Sequence, residues 1–212
     1  MNQLKTTSQF DRIKDWYVFQ SRIYDLTRWT FLFGRKKIIK LVPFQKNDSF
    51  SVLEVGCGTG TTLKYLTDRF PNARLSGYDL SEEMLEVAEN KLSKYGERVK
   101  LLNEAYTPGK MVKEKYDVIL FSYCLSMINP DFEKLLDQAK MELKENGILA
   151  LVDFHNTDYQ FYKDFMEENH ITLEAQLLPE LEKRFKPESL FIKKGLLGIW
   201  KYLLFIGKNS DS

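Results

Sequence analysis

Three glycines in five residues, Gly56-Cys57-Gly58-Thr59-Gly60, follow an apolar run that carries one carboxylate, Val52-Leu53-Glu54-Val55. Glycine lets a backbone turn tightly and approach a ligand with no Cβ in the way, and a helix opening beyond such a loop offers free N–H groups. A dinucleotide loop, G-x-G-x-x-G, would place its third glycine at position 61. Here that residue is Thr61, and the glycine comes one place earlier, at Gly60. Glu54 on the approach to the loop suits a pyrophosphate poorly and a ligand with a positively charged amino-acid portion well. Asp79 follows Gly60 by 19 residues, where a carboxylate can accept both ribose hydroxyls. Asp79 could otherwise serve as an acid at a helix start, but Ser81 already fills the cap position. Tyr24, Tyr123 and His155 are candidates for binding an amine or relaying its proton. His155 is equally readable as a solvated loop histidine.

These residues need a scaffold that ends strands at one edge. Ser51–Val55, Arg74–Tyr78, Val99–Leu102, Tyr116–Ser122, Ile148–Phe154, Thr172–Leu178 and Gly198–Gly207 read as seven strands. Between them, Thr61–Phe70, the segment after Ser81, Asp131–Lys144 and Tyr159–Glu168 show helical spacing. Ser81 with Glu82 and Glu83 behind it is a capped helix start. The alternation predicts an α/β fold with a Rossmann-like, mostly parallel seven-stranded sheet and helices on both faces. Residues 47–208 form that domain, residues 209–212 a tail, and residues 1–46 an N-terminal helical lid over the carboxyl edge of the sheet.

The chain has 212 residues and a net charge of +1, enough for one sizeable core. Residues 1–46 carry a net +7, residues 47–178 a net −9 and the remainder +3. Basic ends around an acidic centre suit an anionic partner, and equally suit two solvated helices. The acidic centre argues against RNA or DNA as partner. No apolar run approaches the ~18 residues of a membrane span, and the first residues lack a signal-peptide core, so a cytoplasmic location is expected. Cys57 and Cys124 have no metal-ligand spacing, and reduced thiols are expected.

The run Glu54-Val55-Gly56-Cys57-Gly58-Thr59-Gly60 resembles the signature loop of class I S-adenosylmethionine-dependent methyltransferases, and the likeness continues through Gly77-Tyr78-Asp79-Leu80-Ser81-Glu82-Glu83-Met84-Leu85. The resemblance covers roughly residues 50–155. It implies S-adenosylmethionine as cofactor, with the methionine end against Glu54, Gly56, Cys57, Gly58 and Gly60. Asp79 would take the ribose, near Leu80 and Met84. Glu104 and Ala105, after the third strand, would lie beside the adenine, although family members more often carry Asp at the first of these positions. Ser122 and Tyr123 would line the reactive end.

A narrower resemblance, to lipid-headgroup N-methyltransferases of the betaine-lipid and phosphatidylethanolamine types, rests on Arg22–Trp29, Phe31–Arg35, Leu125–Ile128 and Val152–Phe154. It implies methylation of an amine on a membrane-borne headgroup, with peripheral membrane contact through the basic, aromatic N-terminal segment. Arg35 is then a candidate for holding a substrate phosphate or carboxylate. The alternatives are a methyltransferase acting on a soluble small molecule, such as a quinone or amino-acid derivative, and a protein that binds S-adenosylmethionine without catalysis.

Overall fold

Six of the seven residues of Tyr116–Ser122 are buried, as an inner strand covered on both faces must be. In the computed structural model, which describes residues 32–107, 115–128 and 131–210, this strand sits at the centre of one sheet. The strands are β1 (Ser51–Val55), β2 (Arg74–Asp79), β3 (Val99–Asn103), β4 (Tyr116–Ser122), β5 (Leu143–Asn156), β6 (Lys186–Lys194) and β7 (Lys201–Lys208), in the order β3-β2-β1-β4-β5-β7-β6. β1 to β5 run parallel, and β7 lies antiparallel between β5 and β6. The order reverses between β1 and β4, which opens the crevice where ligands of such sheets bind.

Helices α1 (Arg35–Leu41), α2 (Thr61–Arg69), α3 (Glu82–Leu92) and α5 (Gln160–Glu168) place Ile38, Leu63, Ala88 and Met166 in the core of one face, with Val52, Val118 and Val152. On the other face α4 (Phe132–Glu142) and α6 (Leu177–Arg184) pack Leu136 and Leu181 against Leu53, Phe121 and Leu149. Ser81 caps α3 as expected, its hydroxyl accepting the Met84 N–H at 3.2 Å.

Several expectations change. Thr172–Leu178 is not a strand: its alternating Leu173 and Leu177 are both buried, but it makes only the bridge Asn156–Glu174, and Leu177 begins α6. The sixth strand is instead Lys186–Lys194, whose charged ends and half-buried middle are those of an edge strand. β7 begins at Lys201, because Gly198 turns with φ +79°. The expected lid shares the main core from Leu32 onward, and α1 lies on the sheet face beside α2, β5 and β7 rather than over the carboxyl edge. Phe33 reaches that edge, its carbonyl accepting the Tyr123 hydroxyl at 2.7 Å. Asn209 is no loose tail: its amide donates to the carbonyls of Lys140, Leu143 and Lys144 at 3.1–3.3 Å.

Candidate functional site

β1 stops at Val55, and the loop after it is tied to β2 by the N–H groups of Gly56 and Cys57, both donating to the Tyr78 carbonyl at 2.9 and 3.0 Å. Gly56, Gly58 and Gly60 all have positive φ, which favours glycine. A Cβ on Gly56 would meet Cys124 Sγ at 2.7 Å, and one on Gly60 would meet Leu92 at 2.8 Å. A Cβ on Gly58 would meet nothing within 4 Å among the described residues. Gly58 therefore faces open space, and its N–H donates to Asp79 Oδ2 at 2.7 Å. The second Asp79 oxygen accepts the Ser81 N–H at 3.0 Å. Each carboxylate oxygen keeps a further lone pair. Burial raises the Asp79 carboxyl above its ordinary range, and these backbone donors oppose the rise.

A cleft of about 620 Å³, its open mouth included, runs from Gly56 past Asp79 and Leu80 to Glu104, with Cys124, Met127 and Ile128 opposite. Its inner wall is aromatic: Tyr78 and Tyr106 meet edge to face at 6.0 Å. Glu54 is 1% exposed. Burial pushes its carboxyl up to about 8, against the opposing Arg35 guanidinium and donors at Thr62 and Leu63. Glu54 Oε2 and Arg35 Nε are both buried, and neither has a hydrogen-bond partner among the described residues. A group with an ammonium and a carboxylate would satisfy both.

Residues 52–147 match the family model described as "Methyltransferase domain". The matched stretch runs from β1 into β5 and holds the glycine loop and Asp79. The likeness of the glycine loop to class I methyltransferases implies S-adenosylmethionine as methyl donor. The orphaned atoms of Glu54 and Arg35 and the open face of Gly58 fit that molecule's amino-acid end. A malonyl-[acyl-carrier protein] O-methyltransferase of Halalkalibacterium halodurans is 33% identical over 129 residues, 57% of this chain and 45% of that protein. A trans-aconitate 2-methyltransferase of Azoarcus is 30% identical over 123 residues, 58% of this chain and 46% of that protein. The chain thus spans about half the length of these curated relatives. The fold is shared with the 1,6-didemethyltoxoflavin-N1-methyltransferase of Burkholderia thailandensis, solved with its substrate and S-adenosylhomocysteine. The TM-score is 0.76 at 15% identity, covering 99% of this chain and 94% of that one.

Gly56, Asp79, Leu80 and Glu104 line the cleft. Cys57 is buried and faces Gly77, whose absent Cβ leaves room for its sulfur. Met84 is 1% exposed and packs in the core rather than in the cleft. Ala105 is half-buried and not a cleft wall. Ser122 is buried, its hydroxyl 3.4 Å from that of Thr62, and does not line the cleft. Tyr123 donates its hydroxyl to the Phe33 carbonyl at 2.7 Å, and burial holds the phenol well above its ordinary range. It is a latch for the N-terminal segment, not a base at neutral pH. His155 is buried at the end of β5, outside the cleft walls; burial and Lys201 lower its pKa, and Nδ1 has no partner among the described residues. Tyr24 lies outside the described residues. Tyr106, Ile128 and Leu135 were not foreseen, because isolated apolar residues carry no spacing signal.

Proposed function

We propose that this chain transfers the methyl group of S-adenosylmethionine to an oxygen of a small acid, free or carried on a larger molecule. The observation that carries the reading is the pair of buried, unpartnered polar atoms, Glu54 Oε2 and Arg35 Nε, beside a glycine loop whose central residue faces open space. The cofactor supplies an electrophilic methyl group on a sulfonium. Glu54 receives its ammonium, Asp79 accepts its ribose hydroxyls, and Glu104 lies at the adenine side.

A carboxylate acceptor, ionised above about pH 4, needs no base. A protonated amine cannot attack until it loses a proton. Tyr123 is ill suited to take that proton, and His155 stands away from the cleft. The relatives named above act, by their names, on a malonyl group and on trans-aconitate, and both are acids. That supports the soluble small-molecule reading over the amine of a lipid headgroup. The lipid reading leans on residues 22–35, of which 22–31 lie outside the described residues, and on Leu125–Ile128 and Val152–Phe154. Among the described residues no helix is long and apolar enough to cross a membrane.

Calorimetric titration with S-adenosylhomocysteine, on wild type and Asp79→Ala, tests the cofactor half. Micromolar binding lost by the substitution supports it, and no heat with folded wild type defeats it. A screen of di- and tricarboxylic acids, acyl-linked acids and primary amines, read by release of S-adenosylhomocysteine, tests the acceptor. Turnover with amines alone, abolished by His155→Ala, would overturn the acid.

A further inference from the structure

Asp153 sits on β5 at 0% exposure, and nothing above gives it a task. Five donors converge on its carboxylate. Oδ2 accepts the N–H groups of Cys124, Leu125 and Ser126 at 3.2, 2.9 and 3.2 Å. Oδ1 accepts the Ser126 hydroxyl at 2.5 Å and the Phe154 N–H at 2.8 Å. A carboxylate from the neighbouring strand thus caps the single helical turn Leu125–Met127, supplying acceptors where the turn's own backbone has none.

That turn is a wall of the cleft. Cys124 stands against Gly56, and Met127 and Ile128 follow along the same side. The chain enters the turn at Tyr123 with φ +56°, a left-handed conformation that an aromatic residue rarely adopts. Such a residue persists only where its surroundings over-determine it. Here the Tyr123 N–H donates to the Val152 carbonyl at 2.8 Å, and the next three N–H groups all end on Asp153. The Ser126 carbonyl in turn accepts the Thr172 N–H at 3.1 Å, so the segment before α6 rides on the same turn.

We propose that Asp153 is a positioning residue of the cofactor site: by collecting the N–H groups of residues 124–126 and the Ser126 hydroxyl, it fixes the wall that Cys124, Met127 and Ile128 present to the cleft. The proposal rests on the reading that this cleft holds the cofactor.

The test combines calorimetric titration of S-adenosylhomocysteine with amide hydrogen exchange on wild type, Asp153→Asn, Ser126→Ala and Ser126→Thr. Asparagine keeps the shape but turns an NH2 group toward donors. For a folded Asp153→Asn we expect affinity to fall about tenfold or more, as loss of a charge-assisted set implies. Exchange should rise at residues 124–128 and 172 while β1 and β4 keep their protection. Ser126→Ala should lose about threefold, and Ser126→Thr should restore it. Wild-type affinity in Asp153→Asn, or exchange raised evenly across the sheet as a purely structural role would give, overturns the proposal. Should Asp153→Asn fail to fold, the Ser126 pair decides: Ser126→Ala matching wild type in both readouts is the overturning result. A wild type that binds no S-adenosylhomocysteine defeats the cofactor reading and the proposal together. Wild-type binding with an unaffected Asp153→Asn defeats the proposal alone.

Discussion

β1 and β5 each bury one carboxyl group near their ends, and the two lie in opposite situations. Asp153 is surrounded by donors, which hold it at about 6 although burial drives it upward. Glu54 has fewer donors and an orphaned oxygen, and burial carries it to about 8. At neutral pH the first is largely a carboxylate and the second largely a neutral acid. A buried carboxylate that the protein satisfies by itself holds the scaffold together. One left short of partners beside an open glycine loop is completed by a ligand.

The largest effect should come from Glu54→Gln. An acid raised from 4.5 to about 8 weakens the fold progressively as pH rises from 4.5 to about 8, and by a constant amount above. At about 1.36 kcal/mol per unit the ceiling is roughly 5 kcal/mol. At pH 8 Glu54→Gln should therefore melt several degrees above wild type and bind S-adenosylhomocysteine at least tenfold more weakly; near pH 4.5 the melting temperatures should converge. Asp153→Asn should melt lower than wild type at pH 8. If both variants melt higher, the contrast between the two ends is broken.

A smaller effect sharpens the same contrast. Receiving an ammonium requires ionised Glu54, so S-adenosylhomocysteine affinity should climb with pH up to about 8, by at most about tenfold per unit, and then level. Glu54→Gln should show no such slope, and a wild type flat from pH 6 to 8 would remove Glu54 from that role. The smallest effect is expected from Tyr123→Phe, which removes one neutral hydrogen bond to Phe33. Urea denaturation should register about 1 kcal/mol, with cofactor affinity within about twofold. A larger loss of affinity would move Tyr123 from latch to site.

The glycine loop, Asp79 and the capped start of α3 were legible because each is a contiguous pattern with one physical meaning. Six strands and the sheet's three-layer design followed from the same local periodicity. β6 was hidden because an edge strand half-buried in its middle and charged at both ends resembles a loop. Thr172–Leu178 misled because two buried leucines, Leu173 and Leu177, also occur where a loop packs down into a helix. No local spacing marks the Asp153 network, since four of its five donors come from residues 27 to 29 positions away, although Leu125–Ile128 and Val152–Phe154 stood out by resemblance. Met84 was assigned to the cofactor by its place in a motif, whereas its side chain faces the core.

The placement of β7 between β5 and β6 has a consequence for synthesis. β5 ends at Asn156, but its outer neighbour does not begin until Lys201. While the intervening residues emerge from a ribosome, the longest strand of the sheet offers an unpaired backbone edge with apolar side chains on both sides. Such an edge is a template for pairing with other chains. β7 is therefore the segment whose late arrival decides whether a nascent molecule closes on itself or joins its neighbours.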